Sequence, residues 1–234
     1  MAGQNRDDIR PRLLLDYKIV SGMKSPLMNV ATYRNVYDLR KRRNPIISLD
    51  EGHLATHYLV DYNIKTLVSR DVYSDRTTVY VDVLANTNYP FEEPVCWVIE
   101  SKMPWSPHVR KTDGWICLGP LWQQAQGAML LGQLLVHIAK LLNFDEAPRG
   151  PDYVGFSGEA IQYWKNVLGY KPITRNLPYP QLPLHLLYDP PAASETKKVF
   201  LRKSVGGAAS PPQQNAPSRA GSGFKKKAIN KIPI

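Results

Sequence analysis

The sequence predicts an α+β fold in which helices and strands occupy separate stretches of the chain. Three observations predict it. Apolar residues alternate with a period of two between residues 53 and 100, a leucine-rich stretch of helical period begins at residue 125, and a short stretch of helical spacing precedes both. Because the strands are consecutive and not separated by helices, we expect antiparallel pairing and not a parallel α/β sheet.

The first predicted element is a helix over residues 11–21. Leu14, Leu15 and Ile19 have helical spacing, and Pro11 is suited to the first turn of a helix. Residues 27–43 fit either a second helix or an irregular basic connection, and their pattern does not decide between the two. Pro45 ends this stretch in either case.

Three strand-like runs follow, over residues 58–68, 77–84 and 95–99. They are rich in Val, Ile, Tyr and Thr, the residue types that fit a pleated sheet. Ser74 and Asp75 mark a turn between the first two runs. Short links between consecutive strands predict an antiparallel meander of about four strands.

The second half of the chain predicts a long loop and then helices. Residues 101–124 show neither period, and loops of that length inside a domain are usually functional. Residues 125–142 predict a helix with a wide apolar stripe. After a Pro/Gly/Asp loop over residues 143–156, Ser157 is suited to cap a helix that runs to Leu168 and ends at Gly169.

Composition and charge divide the chain into four predicted parts. Residues 1–50 hold the first helix and a basic connection, 51–170 the core domain, 171–194 a proline-rich extension, and 195–234 a basic tail for which we expect disorder. The tail has nine Lys and Arg residues against one Glu, which is +8 of the total charge of +10. It is therefore either a solubilising extension or a contact for an acidic partner, nucleic acid included.

The composition also predicts a cellular setting. The two cysteines make neither a disulfide framework nor a CxxC metal motif. No apolar run approaches the roughly 18 residues that span a bilayer, and the first residues lack the apolar centre of a secretion signal. We therefore expect a cytoplasmic protein without membrane contact, cofactor or metal.

Cys117 is the residue best suited to chemistry. It lies in the segment GWICLG after a loop that holds His108, Arg110 and Lys111. A reactive thiolate needs partial exposure and nearby positive charge or hydrogen-bond donors. Because Ile116 and Leu118 flank it, a buried core cysteine is an equally good interpretation of this pattern. Cys96, in the apolar run VCWVI, is expected in the core.

The five histidines do not form a known hydrolase motif with either cysteine. His137 lies on the leucine-rich helix, where we expect a structural or partly exposed side chain. His53 and His57 flank the start of a strand, where a surface position is expected.

Several motifs in succession resemble the UBC fold of ubiquitin-conjugating enzymes. They are YPFEEP at residues 89–94, SPHV at 106–109, GWICL at 114–118, then Trp122 and the leucine-rich helix. The resemblance covers about residues 51–168, with helix 11–21 matching the first helix of that fold. It implies that residues 51–170 are a UBC-like catalytic core with an active-site cysteine loop, and that Trp122 packs under this loop.

One triplet departs from the family pattern. Eukaryotic members have His-Pro-Asn before the cysteine, whereas this chain has Ser106-Pro107-His108, so that His108 takes the place of the asparagine. The segments LLNFDE and GEAIQYW resemble a bacterial branch encoded in ubiquitin-like conjugation operons, several of them implicated in anti-phage defence.

The resemblance implies a two-step acyl transfer on Cys117. A ubiquitin-like protein would pass from an activating enzyme to Cys117 as a thioester, and the amine of a protein substrate would then attack it. His108 could donate to the oxyanion, deprotonate the amine or hold the loop. Asp145 matches the acidic loop position of the family. Asp113 and Asp152 are further acidic candidates, although aspartates in such loops usually cap turns.

Three other functions stay open at this point. The chain could be a non-catalytic UBC-like module that binds a ubiquitin-like protein. It could be an unrelated cysteine hydrolase, which would release product without an activating enzyme. It could also bind nucleic acid, for which the basic tail is the only support.

Overall fold

A computed structural model of the chain describes residues 9–86, 88–145 and 155–187. These residues belong to a unit that extends from Met1 to Tyr188, and a second unit comprises Asp189–Ile234. The basic tail predicted over residues 195–234 lies outside the described residues.

The predicted first helix is confirmed. Helix α1 extends over Arg10–Gly22, with a proline in its first turn. Leu13, Tyr17 and Ile19 are buried on one side of it, in the main apolar core. The spacing of these side chains is what fixes α1 against the rest of the domain.

Residues 27–43 form neither a single helix nor an irregular connection. Strand β1 extends over Met28–Tyr33 and the short helix α2 over Val36–Lys41. Asn35 separates them, because its side chain accepts a hydrogen bond from the backbone N–H of Asp38 at 2.8 Å and so caps α2. The apolar residues of this stretch belong to two different elements, and that is why one period could not describe them.

The strands that follow β1 are β2 (His57–Tyr62), β3 (Thr66–Ser69), β4 (Val72–Ser74), β5 (Thr77–Asp82) and β6 (Val95–Val98). The main sheet has four antiparallel strands in the order β1-β2-β5-β6, so the predicted α+β class and antiparallel sheet are confirmed. β3 and β4 form a separate hairpin between β2 and β5 in the chain. The prediction of one strand over residues 58–68 is wrong, because the chain leaves the main sheet after Tyr62.

The inner face of the sheet packs on the helices. Tyr58, Val60 and Tyr62 alternate along β2 and lie in the main core, with Cys96 of β6 beside them in the same cluster. This alternation is the period of two that the sequence shows. Cys96 is fully buried, which confirms the prediction that it is a core residue.

The outer face of the sheet carries a smaller cluster. Tyr33, Leu59 and Tyr80 pack there against Leu39 of α2. The side chain of His57 is also half-buried on this face, and its Nδ1 lies 2.9 Å from the hydroxyl of Tyr80. The expected surface position of His57 is therefore wrong.

The leucine-rich helix is shorter than predicted. After the four-residue helix α3 (Leu121–Gln124), helix α4 extends over Leu131–Leu142 and not from residue 125. Gly127 has φ +84°, and its carbonyl accepts a hydrogen bond from the Arg12 guanidinium at 2.5 Å. Because α1 holds this turn, the helix cannot begin before it.

The last helix, α5, extends over Gly158–Asn166. The predicted cap is confirmed, since the Ser157 hydroxyl accepts from the backbone N–H of Ala160 at 3.2 Å. The helix ends two residues before the predicted Leu168, and Gly169 has the predicted left-handed backbone, at φ +60°. The chain then continues to a 3₁₀ turn over Leu184–Leu187. Across the described ranges, every helix is too short or too polar to cross a membrane.

Candidate active site

Cys117 lies at the end of an extended segment that is hydrogen-bonded on both sides. On one side, two bonds join residues 114–117 to β6; in one of them the N–H of Ile116 donates to the Cys96 carbonyl at 2.9 Å. On the other side, the N–H of Cys117 donates to the carbonyl of His108 at 2.8 Å. The backbone around Cys117 is therefore extended and fixed from two directions.

A tight turn places residues 108–110 next to residues 114–117. Arg110 donates two hydrogen bonds to the Asp113 carboxylate, at 2.8 and 2.6 Å, and Asp113 accepts a third from the Trp115 N–H. The expectation that aspartates cap turns in such loops is thus confirmed for Asp113. Gly114 has φ +76°, and a Cβ there would lie 2.2 Å from the carbonyl oxygen of Val98, so only glycine fits.

The two cysteines differ in accessibility. Cys117 is partly exposed, whereas Cys96 has no exposed surface. Burial raises the pKa of the Cys96 thiol, which therefore stays protonated near neutral pH. Of these two thiols, Cys117 is therefore the one that a molecule in solvent can reach.

His108 is joined to Cys117 through the backbone. The residue is only 6% exposed, and its side chain is buried. The backbone N–H of His108 donates to the Ser106 hydroxyl at 3.2 Å. The structure therefore brings His108 and Cys117 together as neighbours on paired segments. A catalytic role for the His108 imidazole stays a prediction.

Of the two positions expected for His137, structural or partly exposed, the structure has the structural one, and it adds a contact with the cysteine segment that the sequence did not predict. His137 lies on α4 and is buried, and its Nε2 donates to the carbonyl of Leu118 at 3.0 Å. Leu118 directly follows Cys117. Its spacing predicts only burial, because His137 comes three residues after Leu134 and four before Leu141, both on the buried face of α4.

Trp122, five residues after Cys117, packs against Tyr89 of the YPF segment. The two rings stack with centroids 5.7 Å apart, and Trp122 Nε1 donates to the Pro90 carbonyl at 2.9 Å. Trp122 is almost fully buried. The YPF segment and the stretch after Cys117 are thus packed against each other, as a structural role for Trp122 requires.

A buried ionic network connects Tyr89 to α1. The Asp16 carboxylate accepts hydrogen bonds from the Tyr89 hydroxyl at 2.5 Å, from Arg12 Nε at 2.7 Å and from the Leu131 N–H at 2.8 Å. Arg12 also donates to the carbonyls of Gly127 and Met129. Burial raises the pKa of Asp16 and the Arg12 charge opposes that rise. The network therefore holds both ends of the turn that precedes α4.

Asp145 lies in different surroundings. Its side chain is exposed and lines an open cavity of about 490 Å³ together with Lys171, Arg175 and other residues between 171 and 179. Neither Cys117 nor His108 lines this cavity. The predicted catalytic role of Asp145 stays a prediction, and Asp152 lies outside the described residues.

Phe156, just before α5, contacts the segment that precedes Cys117. The N–H of Phe156 donates to the Pro107 carbonyl at 2.9 Å, and the Phe156 ring meets the Trp115 ring edge-on at 5.5 Å. Arg110 lies over the Trp115 ring at 5.1 Å. The segment from residue 106 to 117 is therefore framed by β6 on one side and by Phe156 on the other.

Comparison with models of known protein families and with curated proteins finds no match. Among residues 9–86, 88–145 and 155–187, no group of three or more His, Cys, Asp or Glu side chains is arranged to hold a metal ion. Chemically, the described site offers a partly exposed thiol on a segment fixed by backbone hydrogen bonds. The buried histidines His108 and His137 precede and follow Cys117 in the sequence.

Proposed function

We propose that this chain is a ubiquitin-conjugating-type enzyme of the UBC fold, from a bacterial conjugation system of the kind implicated in anti-phage defence. It carries a ubiquitin-like protein as a thioester on Cys117 and transfers it to an amine. The observation that carries the proposal is the setting of Cys117, a partly exposed thiol on an extended segment that backbone bonds fix from two sides.

The arrangement of the family-like motifs supports the proposal. The YPF segment packs on Trp122, so motifs that are distant in sequence adjoin one another. The N-terminal helix, the antiparallel sheet of four strands and the leucine-rich α4 occur in the order that the family resemblance implies, which supports the proposal.

The proposed reaction transfers one acyl group in two steps, first to Cys117 and then to an amine. The Cys117 thiolate attacks the carbonyl carbon of a thioester on the activating enzyme; a new C–S bond forms, the old one breaks, and the thiolate of the activating enzyme leaves. An amine of the protein substrate then attacks the new thioester. The C–N bond forms, Cys117 leaves as a thiolate, and the amine proton passes to a base.

His108 and Asp145 have proposed roles in the second step. His108 donates a hydrogen bond to the oxyanion or accepts the proton of the amine, and its position beside Cys117 supports either role. Asp145 orients the incoming amine, with the exposure of its carboxylate as the support. The partners are a ubiquitin-like protein, an activating enzyme and a protein amine. The tail is either a solubilising extension or a contact for an acidic partner.

The test is covalent capture on the full chain. A ubiquitin-like protein carrying a C-terminal thioester of a small thiol supplies the acyl group without an activating enzyme. We expect an adduct that is cleaved by a reducing thiol and located on Cys117 by mass spectrometry. Cys96→Ala, a change at the buried cysteine, is the matched control and should keep the adduct.

Each alternative function gives a different result. A non-catalytic binding module would form a non-covalent complex and no adduct, and Cys117→Ser would bind as the wild type does. A cysteine hydrolase would release the free carboxylate with no added amine and turn over repeatedly. Either result would overturn the proposed function.

A further inference from the structure

A hydrogen bond from His137 fixes the peptide between Leu118 and Gly119, just after Cys117. His137 Nε2 donates to the Leu118 carbonyl at 3.0 Å, and both residues are buried. A peptide unit is planar, and the C=O and N–H of a trans peptide point in opposite directions. Fixing the Leu118 carbonyl against α4 therefore also fixes the N–H of Gly119, directed away from α4.

The backbone at Gly119 is suited to present that N–H. Gly119 has φ +70°, and a Cβ placed there would meet no atom within 4 Å. The space around it is therefore open to an approaching acyl group. Within the described part of the chain, neither the N–H of Leu118 nor that of Gly119 has a hydrogen-bond acceptor. Backbone N–H groups directly after a nucleophile are a common source of oxyanion stabilisation.

We propose that His137 is a positioning residue, which holds the peptide after Cys117 so that the N–H of Gly119 binds the oxyanion of acyl transfer. The inference rests on the proposed function. As the thiolate sulfur bonds to the acyl carbon, the carbonyl π electrons move to oxygen, and the Gly119 N–H stabilises that negative charge. The oxyanion then collapses and expels the donor thiolate.

The experiment compares two reactions of the same thiol in the full chain. Acylation by a short glycine-ended peptide thioester passes through an oxyanion, whereas alkylation by iodoacetamide does not. We expect His137→Leu to slow acylation of Cys117 by about tenfold or more, towards the 10²–10³ that a lost oxyanion donor costs. Alkylation should stay within about twofold of the wild type.

Rescue separates positioning from general packing. His137→Gln keeps an N–H that can reach the Leu118 carbonyl, and we expect it to restore most of the acylation rate. Gly119→Ala changes the backbone without a steric clash, and it should slow acylation and spare alkylation in the same way. This second variant keeps the proposal testable if His137→Leu fails to fold.

The outcomes distinguish this inference from the proposed function. If the wild type is acylated but His137→Leu and Gly119→Ala react at the wild-type rate, the positioning role is wrong and the proposed function stands. If the variants lose acylation and alkylation equally, His137 has only a structural role. If wild-type Cys117 is alkylated but never acylated, the proposed function and this inference both fail.

Discussion

At the scale of single residues, backbone hydrogen bonds decide where the Cys117 sulfur lies. The carbonyls of Cys96 and His108 hold the segment from opposite sides, and Gly114 allows the close approach to β6. A nucleophile on such a segment loses little conformational freedom when an acyl group arrives. His108 therefore contributes to the site through its backbone whatever its imidazole does.

The imidazole can be tested separately from the backbone. If His108 stabilises the oxyanion, His108→Ala should slow transfer of the acyl group from Cys117 to a free amine by about 10²–10³, the cost of one lost donor. His108→Asn should retain most of the rate, because its amide can donate. The measurement is single-turnover discharge of a preformed thioester, with thermal unfolding as a control for folding. Wild-type rates in both variants would contradict a catalytic role for His108.

At the scale of elements, tertiary contacts decide the boundaries that local sequence could not. The residue types after Ala125 favour a helix, yet α4 begins at Leu131 because Arg12 holds the preceding turn and Asp16 caps the Leu131 N–H. Those partners lie 115 residues earlier in the chain. The cysteine segment and the antiparallel sheet were predictable, since glycine turns and alternation are local signals. The role of His137 was not, because it depends on a carbonyl from another element.

The buried network predicts a large loss of stability when one partner is removed. Asp16→Ala leaves Arg12 charged and only partly satisfied in the core, and we expect the free energy of unfolding to fall by about 3–5 kcal/mol. Arg34→Ala breaks an exposed ion pair with Glu51 and is the matched control, with a loss below about 1 kcal/mol. Urea denaturation measures both. Equal losses in the two variants would show that the network does not hold α1 to α4.

The outer face of the sheet predicts a pH dependence. Burial lowers the pKa of His57 below its ordinary 6.5, although Asp82, 3.6 Å away, opposes that shift. The unfolded chain therefore binds more protons than the folded chain near pH 6. The stability that neutral His57 contributes is present above pH 6.5 and is lost as the pH falls through the folded-state pKa.

Unfolding midpoints between pH 7.5 and 5 test this dependence. Stability of the wild type should fall on acidification, and His57→Gln, which cannot be protonated, should show a flatter profile. Tyr80 and Asp82 face the ring and stay in both proteins. If the stability of the variant falls with the same slope, groups other than His57 cause the loss of stability in acid.

At the scale of the whole molecule, charge and chemistry occupy different parts of the chain. The last 40 residues hold +8 of the +10 net charge, whereas Cys117 lies in the unit that ends at Tyr188. Helices α1 and α4, the sheet and the cysteine segment share the main core, against which Leu177, Tyr179 and Leu182 also pack. The acyl chemistry should therefore not depend on the tail.

Deleting residues 195–234 tests that separation. We expect the shortened chain to accept an acyl group on Cys117 at the wild-type rate. Any binding to nucleic acid should disappear with the tail, and in the full chain it should weaken steeply as salt is added. Nucleic-acid binding by the shortened chain would instead place a recognition surface in the folded part and favour a different function.

The proposed function depends most on the difference in reactivity between the two thiols, and alkylation of the native full chain measures that difference directly. With iodoacetamide at neutral pH, followed by peptide mass spectrometry, Cys117 should react at least about a hundredfold faster than Cys96, whose thiol is buried and protonated. Denaturation should make the two rates equal. If Cys117 in the native chain is as unreactive as Cys96, it cannot carry an acyl group and the central claim is contradicted.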